Sequence, residues 1–292
     1  MLPLVYGELA VLRLLRRDSI MMSLKDLGFL EHNMNLLLEA LALPYGAILV
    51  TGPTGSGKST TLYAAINETN DPKANLITVE DPVEYRLAGL SQVQVHERAG
   101  LTFASALRSI LRQDPDKVMV GEIRDRETGT IAIEAALTGH LVLSTLHTND
   151  APSAVTRLTE MGIEPFLSAS AITLVVAQRL ARRLCPDCKE RYVPEESALE
   201  RIGFPFESGK PPTLYRARGC RKCNEIGYRG RMGIHEAMKM SEGLERLVVE
   251  NVSADELMRA SIEEGMLTLR DDGFAKVALG MTSIEEILRV VV

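Results

Sequence analysis

Residues 47 to 62, AILVTGPTGSGKSTTL, set an apolar stretch directly before a glycine-rich turn and a helix-forming run. This Walker A arrangement constrains the fold more than any other segment, because it demands a buried strand, a tight turn and a helix in succession. Gly52, Gly55 and Gly57 let the backbone turn its N–H groups toward a phosphate chain in conformations where a side chain would clash. Thr54, Ser56 and Thr60 complete the loop and the start of the helix. Lys58 reaches the β- and γ-phosphates, Ser59 offers its hydroxyl to Mg²⁺, and the helix directs its positive N-terminus at the same phosphates. Binding of ATP with Mg²⁺ is expected.

Three further apolar segments, LITVEDP (76–82), KVMVGEIRD (117–125) and HLVLSTLHT (140–148), end in polar groups and read as buried parallel strands. Helical patterns lie between them, at 102–113 and 126–139. The alternation predicts a doubly wound α/β core, in which ligands collect at the carboxyl ends of the strands. Glu80, Asp81, Glu122, Arg124, Asp125 and His147 are then expected to gather around the nucleotide. Glu122 reads as the general base or water-orienting residue, with Glu80 and Asp81 suited to Mg²⁺ or its waters. His140 and His147 bracket one strand, and its alternation puts them on different sides or depths. For each, a packing or turn role weighs about as much as phosphate contact.

Four cysteines form two Cys-x-x-Cys pairs, Cys185 with Cys188 and Cys220 with Cys223. Two such pairs supply four thiolates, the donor set of a closed tetrahedral zinc site. Such a site leaves no position for substrate, so Zn²⁺ is expected to cross-link a loop-rich unit rather than to catalyse.

The chain of 292 residues is 46% hydrophobic, enough for one large core and a smaller unit. The apolar run 165–178 is too short to span a bilayer, and the N-terminus lacks a secretory signal pattern. A cytoplasmic protein without membrane insertion is expected. Residues 179–231 carry thirteen Lys/Arg against seven Asp/Glu within a chain of net charge −6, so basic charge is local to the cysteine region. A solvated basic face and contact with an acidic partner or nucleic acid are equally compatible with it. Residues 241–292 show helical periodicity with the cap signal SADE, predict a helical bundle, and carry no evident chemistry.

Together the motifs GPTGSGKST, ITVEDPVEY, LRQDPDKVMVGEIRDRET and LTGHLVLSTLHTNDA resemble, in order and spacing, the secretion ATPases that drive type II secretion and type IV pilus assembly. The resemblance covers nearly the whole chain. It implies an α/β fold: a RecA-like P-loop NTPase core with an inserted tetracysteine zinc subdomain and a C-terminal helical bundle. On this basis residues 1–28 are the remnant of a preceding domain and linker, 29–183 the ATPase core, 184–230 the zinc subdomain and 231–292 the C-terminal helical region. The chain accordingly reads as a piece of a longer protein.

The resemblance further implies phosphate binding by Lys58, metal binding or water positioning by Glu80, Asp81 and Glu84, catalysis by Glu122, and phosphate sensing by His140 and His147. It implies a homo-hexamer at the inner face of the cytoplasmic membrane, with arginines supplied across the inter-domain cleft. The implied partners are a platform protein of the inner membrane and a docking protein. The tetracysteine element favours assembly over retraction. Two positions depart from the family pattern. Leu9 replaces the basic residue that follows the Gly-Glu pair, leaving Arg13, Arg16 and Arg17 as alternatives for the cross-cleft arginine; His96 replaces an amide residue and is assigned no role. The competing reading is a RecA-like nucleic-acid translocase with a zinc-stabilised DNA-binding unit. An aromatic content of 4% and an acidic chain outside the cysteine region count against it.

Overall fold

The apolar runs assemble into one sheet. The computed structural model describes residues 2–10, 22–69, 71 and 73–291. Arg13, Arg16 and Arg17 lie outside the described residues.

Among the described residues the chain runs β1 (Leu2–Leu4), β2 (Gly7–Leu9), α1 (Glu31–Leu41), β3 (Gly46–Thr51), α2 (Lys58–Glu68), β4 (Leu76–Glu80), β5 (Ser91–Gln94), α3 (Phe103–Ile110), β6 (Lys117–Val120), α4 (Arg126–Leu137), β7 (Leu141–Leu146), α5 (Ala151–Glu160), α6 (Pro165–Ala171) and β8 (Ile172–Leu184). It continues through β9 (Glu190–Tyr192), α7 (Glu196–Arg201), β10 (Leu214–Arg216), β11 (Tyr228–Lys239), α8 (Glu242–Val249), α9 (Ala254–Glu263), α10 (Leu269–Ala278) and α11 (Ile284–Val290).

The central sheet has the order β11-β8-β3-β7-β6-β4-β5. All its neighbours pair in parallel except β11, which runs antiparallel to β8. Every residue of β3 and of β7 is buried, as befits parallel strands covered on both faces. Alternation along β3 divides the core into two layers. Ala47 and Leu49 face a cluster with α3 to α6 and the C-terminal helices, whereas Ile48 and Val50 face α1 and α2. Local signals set the helix starts: Asp125 caps α4 through Thr128 N–H at 2.8 Å, Asp150 caps α5 through Ser153 N–H at 2.8 Å, and Ser253 caps α9.

Residues 2–9, read as part of the remnant of a preceding domain, form a two-stranded antiparallel hairpin. The structure departs from the sequence expectation in two places. Leu24 and Leu27, placed by the sequence in a linker, are buried in the core layer that contains α1 and α2. Residues 231–239, expected in a helical region, belong to β11, whose apolar run Gly233–Met238 completes the sheet against β8.

The cysteine-bearing segment holds the hairpin of β9 and β10 and the short helix α7. It does not stand apart from the main fold. Leu199, Phe204 and Leu214 are buried in the large core cluster, and the Phe204 ring lies 5.1 Å from that of Phe274 in α10. Helices α8 to α11 follow as the periodicity predicts.

Candidate functional site

A cleft of about 530 Å³ opens over the carboxyl ends of the central strands, where Lys58, Ser59, Asp81, Glu84, Glu122 and His147 meet. The glycine loop forms its floor. Gly52, Gly55 and Gly57 have φ of 150°, 80° and 91°, conformations that favour glycine. Gly57 is also the residue from which α2 starts, so backbone N–H groups and the helix N-terminus converge on the cleft. The Lys58 ammonium donates to the carbonyls of Gly52 at 2.9 Å and Pro53 at 3.2 Å. Burial lowers its pKa, the Glu122 carboxylate opposes that shift, and Arg179 adds to it. Ser59 is exposed on the cleft side of the helix start.

Glu122 follows β6 and is clasped from both sides. One oxygen lies 2.5 Å from Nη2 of Arg124 and the other 3.4 Å from Nε2 of His147, which follows β7. Arg124 also approaches Asp81 at 4.0 Å. The hydrogen bond to Glu122 is the main reason that the Arg124 pKa is raised. The backbone around Glu122 is fixed by neighbouring strand ends: Gly121 N–H donates to Val79 O at 2.8 Å, and Thr145 Oγ1 donates to Gly121 O at 2.7 Å.

Glu80 behaves differently from its neighbour Asp81. It is 4% exposed, and its carboxylate accepts from the Tyr63 hydroxyl, from Thr78 Oγ1 at 2.6 Å and from Gln92 Nε2 at 3.1 Å. Burial and the bond to Glu80 push the Tyr63 phenol pKa upward. Its oxygens therefore anchor α2 and β5 to the end of β4, while Asp81 and Glu84 line the mouth of the cleft.

The four cysteine sulfurs lie within 4.8 Å of one another, with Cys185 to Cys220 at 4.0 Å, Cys188 to Cys223 at 3.8 Å and Cys220 to Cys223 at 3.7 Å. These separations exclude disulfides and match the edge of about 3.8 Å that a tetrahedron of Zn–S bonds requires. The N–H groups of Cys220 and Gly227 each donate to Cys223 Sγ at 3.2 Å, which suits a thiolate ligand. The donor set and its geometry fit zinc.

A family model described as type II/IV secretion system protein matches residues 1–289. The chain belongs to this family. Within it, the chain is 52% identical over 289 residues to the type II secretion system protein E of Pseudomonas aeruginosa, covering 99% of this chain and 57% of that protein. It is 51% identical over 287 residues to the type IV pilus assembly ATPase PilB of Myxococcus xanthus, covering 98% and 51%. The chain thus spans somewhat more than half the length of these curated relatives. Among solved structures, the pilus retraction motor PilT with bound ADP aligns with a TM-score of 0.68 and 29% identity over 92% of this chain and 66% of that one. The Legionella pneumophila ATPase DotB shares the fold, with a TM-score of 0.66 and 24% identity over 92% of this chain and 64% of that one.

Most of the site residues expected from the strand ends and from the family resemblance converge on the cleft; Asp125 of the former set and His140 of the latter do not. His140 precedes β7 whereas His147 follows it, so about 20 Å of strand separates them. The His140 ring Nδ1 lies 3.0 Å from the Ala135 carbonyl, a turn contact at the opposite end of the sheet. Asp125 is consumed as the cap of α4. Conversely, Tyr63 and Gln92 around Glu80, Leu180 and Arg231 on the cleft wall, and Gln178 behind the glycine loop escaped the sequence reading. Only Gln178 carried a signal, as an amide interrupting the apolar run before it.

Proposed function

We propose that this chain is the ATP-hydrolysing motor portion of a secretion-family ATPase, driving assembly of pilin or pseudopilin subunits. The observation that carries the reading is the placement of the Glu122 carboxylate and the Lys58 ammonium in one cleft beside a helix N-terminus. Lys58 and the loop from Gly52 to Thr60 bind the phosphate chain. Glu122 accepts the proton of the attacking water, with Arg124 and His147 holding its two oxygens in place. The Ser59 hydroxyl and the carboxylates of Asp81 and Glu84 would hold Mg²⁺, which would offset charge on the β- and γ-phosphates. Glu80 acts by holding Tyr63 and Gln92.

The cysteine cluster would hold Zn²⁺ in a closed four-thiolate site, which contributes cross-linking and no open coordination position. Among the described residues no helix is long and apolar enough to cross a membrane. Work as a homo-hexamer at the cytoplasmic face of the inner membrane, against a platform protein and a docking protein, follows from the family likeness. The relatives named for type II secretion and for type IV pilus assembly define the test. Lys58→Ala is introduced in the native host, surface pili are counted by electron microscopy, and exoproteins are assayed in the medium. Lost pili with normal export identifies a pilus motor, trapped exoproteins with intact pili a type II secretion motor, and no change in either refutes the proposal.

A further inference from the structure

Gln178 lies in β8 and is 2% exposed. Both ends of its side-chain amide are used: Nε2 donates to the Ser56 carbonyl at 2.8 Å, and Oε1 accepts from the Thr61 hydroxyl at 2.6 Å. Thr61, in the first turn of α2, is itself fully buried. Gln178 also shapes the loop sterically. A Cβ at Gly52 would stand 2.4 Å from the Gln178 carbonyl oxygen, and one at Gly57 would stand 2.8 Å from Gln178 Nε2. We infer that Gln178 is the positioning residue that holds the glycine loop in its phosphate-binding shape, a role that rests on the nucleotide reading above.

The physical reason is the planarity of the peptide. In a trans peptide the carbonyl and the following N–H point in opposite directions. Anchoring the Ser56 carbonyl on Gln178 therefore turns the Gly57 N–H to the other side, toward the concave face of the loop where phosphate oxygens are held. The Ser56 carbonyl can only accept, so the amide presents its NH₂ group there and leaves Oε1 for the Thr61 hydroxyl. One amide thus joins the loop, the first turn of α2 and β8. Because Ala177 pairs with Thr51, the last residue of β3, the sheet register delivers Gln178 directly behind the loop.

Removing both bonds frees the Ser56–Gly57 peptide to rotate, which weakens binding of any phosphate chain without touching the Glu122 clasp. The test uses the chain with the Gln178→Leu substitution, after circular dichroism has verified its fold. Fluorescence titration with an ADP analogue and competition by Mg-ATP then give the affinities. Two lost hydrogen bonds predict a rise in Kd of roughly tenfold or more for both nucleotides. A KM for ATP that rises in step, with kcat at saturation changed by less than about twofold, separates loop positioning from damage to the chemistry. A folded Gln178→Leu chain with wild-type affinity overturns the inference. Should that variant fail to fold, Thr61→Val decides, since it strips Oε1 of its donor while keeping the residue's shape. A severalfold weaker affinity supports the role, and wild-type affinity overturns it. A wild-type chain that binds no Mg-ATP takes down the nucleotide reading itself, whereas normal wild-type binding beside a silent Gln178→Leu removes this role alone.

Discussion

Arg124 Nη2 lies 2.5 Å from Glu122 Oε1, an ion pair at the end of β6 in which the carboxylate is 16% exposed and the guanidinium 56%. The partially buried acid is thus oriented toward the cleft by a cation that solvent still reaches. The proposed role of Glu122 as a base and that proposed for Lys58 as a phosphate anchor are separable. Glu122→Gln keeps the shape of the side chain and is expected to bind Mg-ATP normally while kcat falls about a hundredfold or more. Lys58→Ala is expected to lose nucleotide affinity as well. Titration of both variants with a non-hydrolysable ATP analogue checks the division, and equal loss of binding in the two would sink it.

The Tyr63 hydroxyl is one of three donors to the buried Glu80 carboxylate. Tyr63→Phe removes that donor without opening a cavity and is expected to cost about 1–3 kcal/mol, the desolvation penalty of a buried acceptor left short of a partner. Urea unfolding measures it. An unchanged midpoint would mean that Glu80 is satisfied without the tyrosine.

Cys185→Ser or Cys220→Ser breaks the four-sulfur cluster and is expected to abolish the proposed binding of zinc there and lower the melting temperature. Because Leu199, Phe204 and Leu214 of the same segment enter the main core, the loss is expected to spread beyond the cysteine loops. The glycine loop lies elsewhere, and the nucleotide binding proposed for it is expected to survive these substitutions. Metal content by mass spectrometry, paired with thermal melts, decides. Wild-type protein that melts normally after its metal has been chelated would refute a structural zinc.

The Glu286 side chain is 0% exposed and accepts hydrogen bonds from the side chains of Arg182 and Arg289 and from the Arg182 backbone. Burial raises its pKa, but the bonds from Arg289 and Arg182 together outweigh burial and hold it at about 2 against an ordinary 4.5. A carboxylate depressed in the fold contributes its stability in full above the unfolded value and loses it as pH falls toward the folded one. Stability is therefore expected to decline as pH drops from 4.5 toward 2, and the decline should be shallower in Glu286→Gln. Urea midpoints of both chains across that interval test this; parallel slopes would refute it.

Legible in the sequence were the glycine loop, the strands that lead up to Glu80, Glu122 and His147, the cap of α9 at Ser253 and the four thiols. Each of these is local: a turn that tolerates only glycine, an apolar run long enough for a buried strand, a polar residue ahead of a helix, a fixed cysteine spacing. What remained hidden depends on pairing between distant segments. The run containing Gln178 became a thirteen-residue strand only because β3 and β11 flank it, and only that register sets its amide against Ser56. Glu80 and Asp81 are adjacent in sequence, yet one is buried beneath Tyr63 and the other lies at the cleft mouth, since strand alternation and helix packing assign them different surroundings. The sequence sets His140 and His147 at the two ends of one strand but leaves their roles open; the fold brings His147 to Glu122 and leaves His140 in a turn contact with Ala135 at the other end.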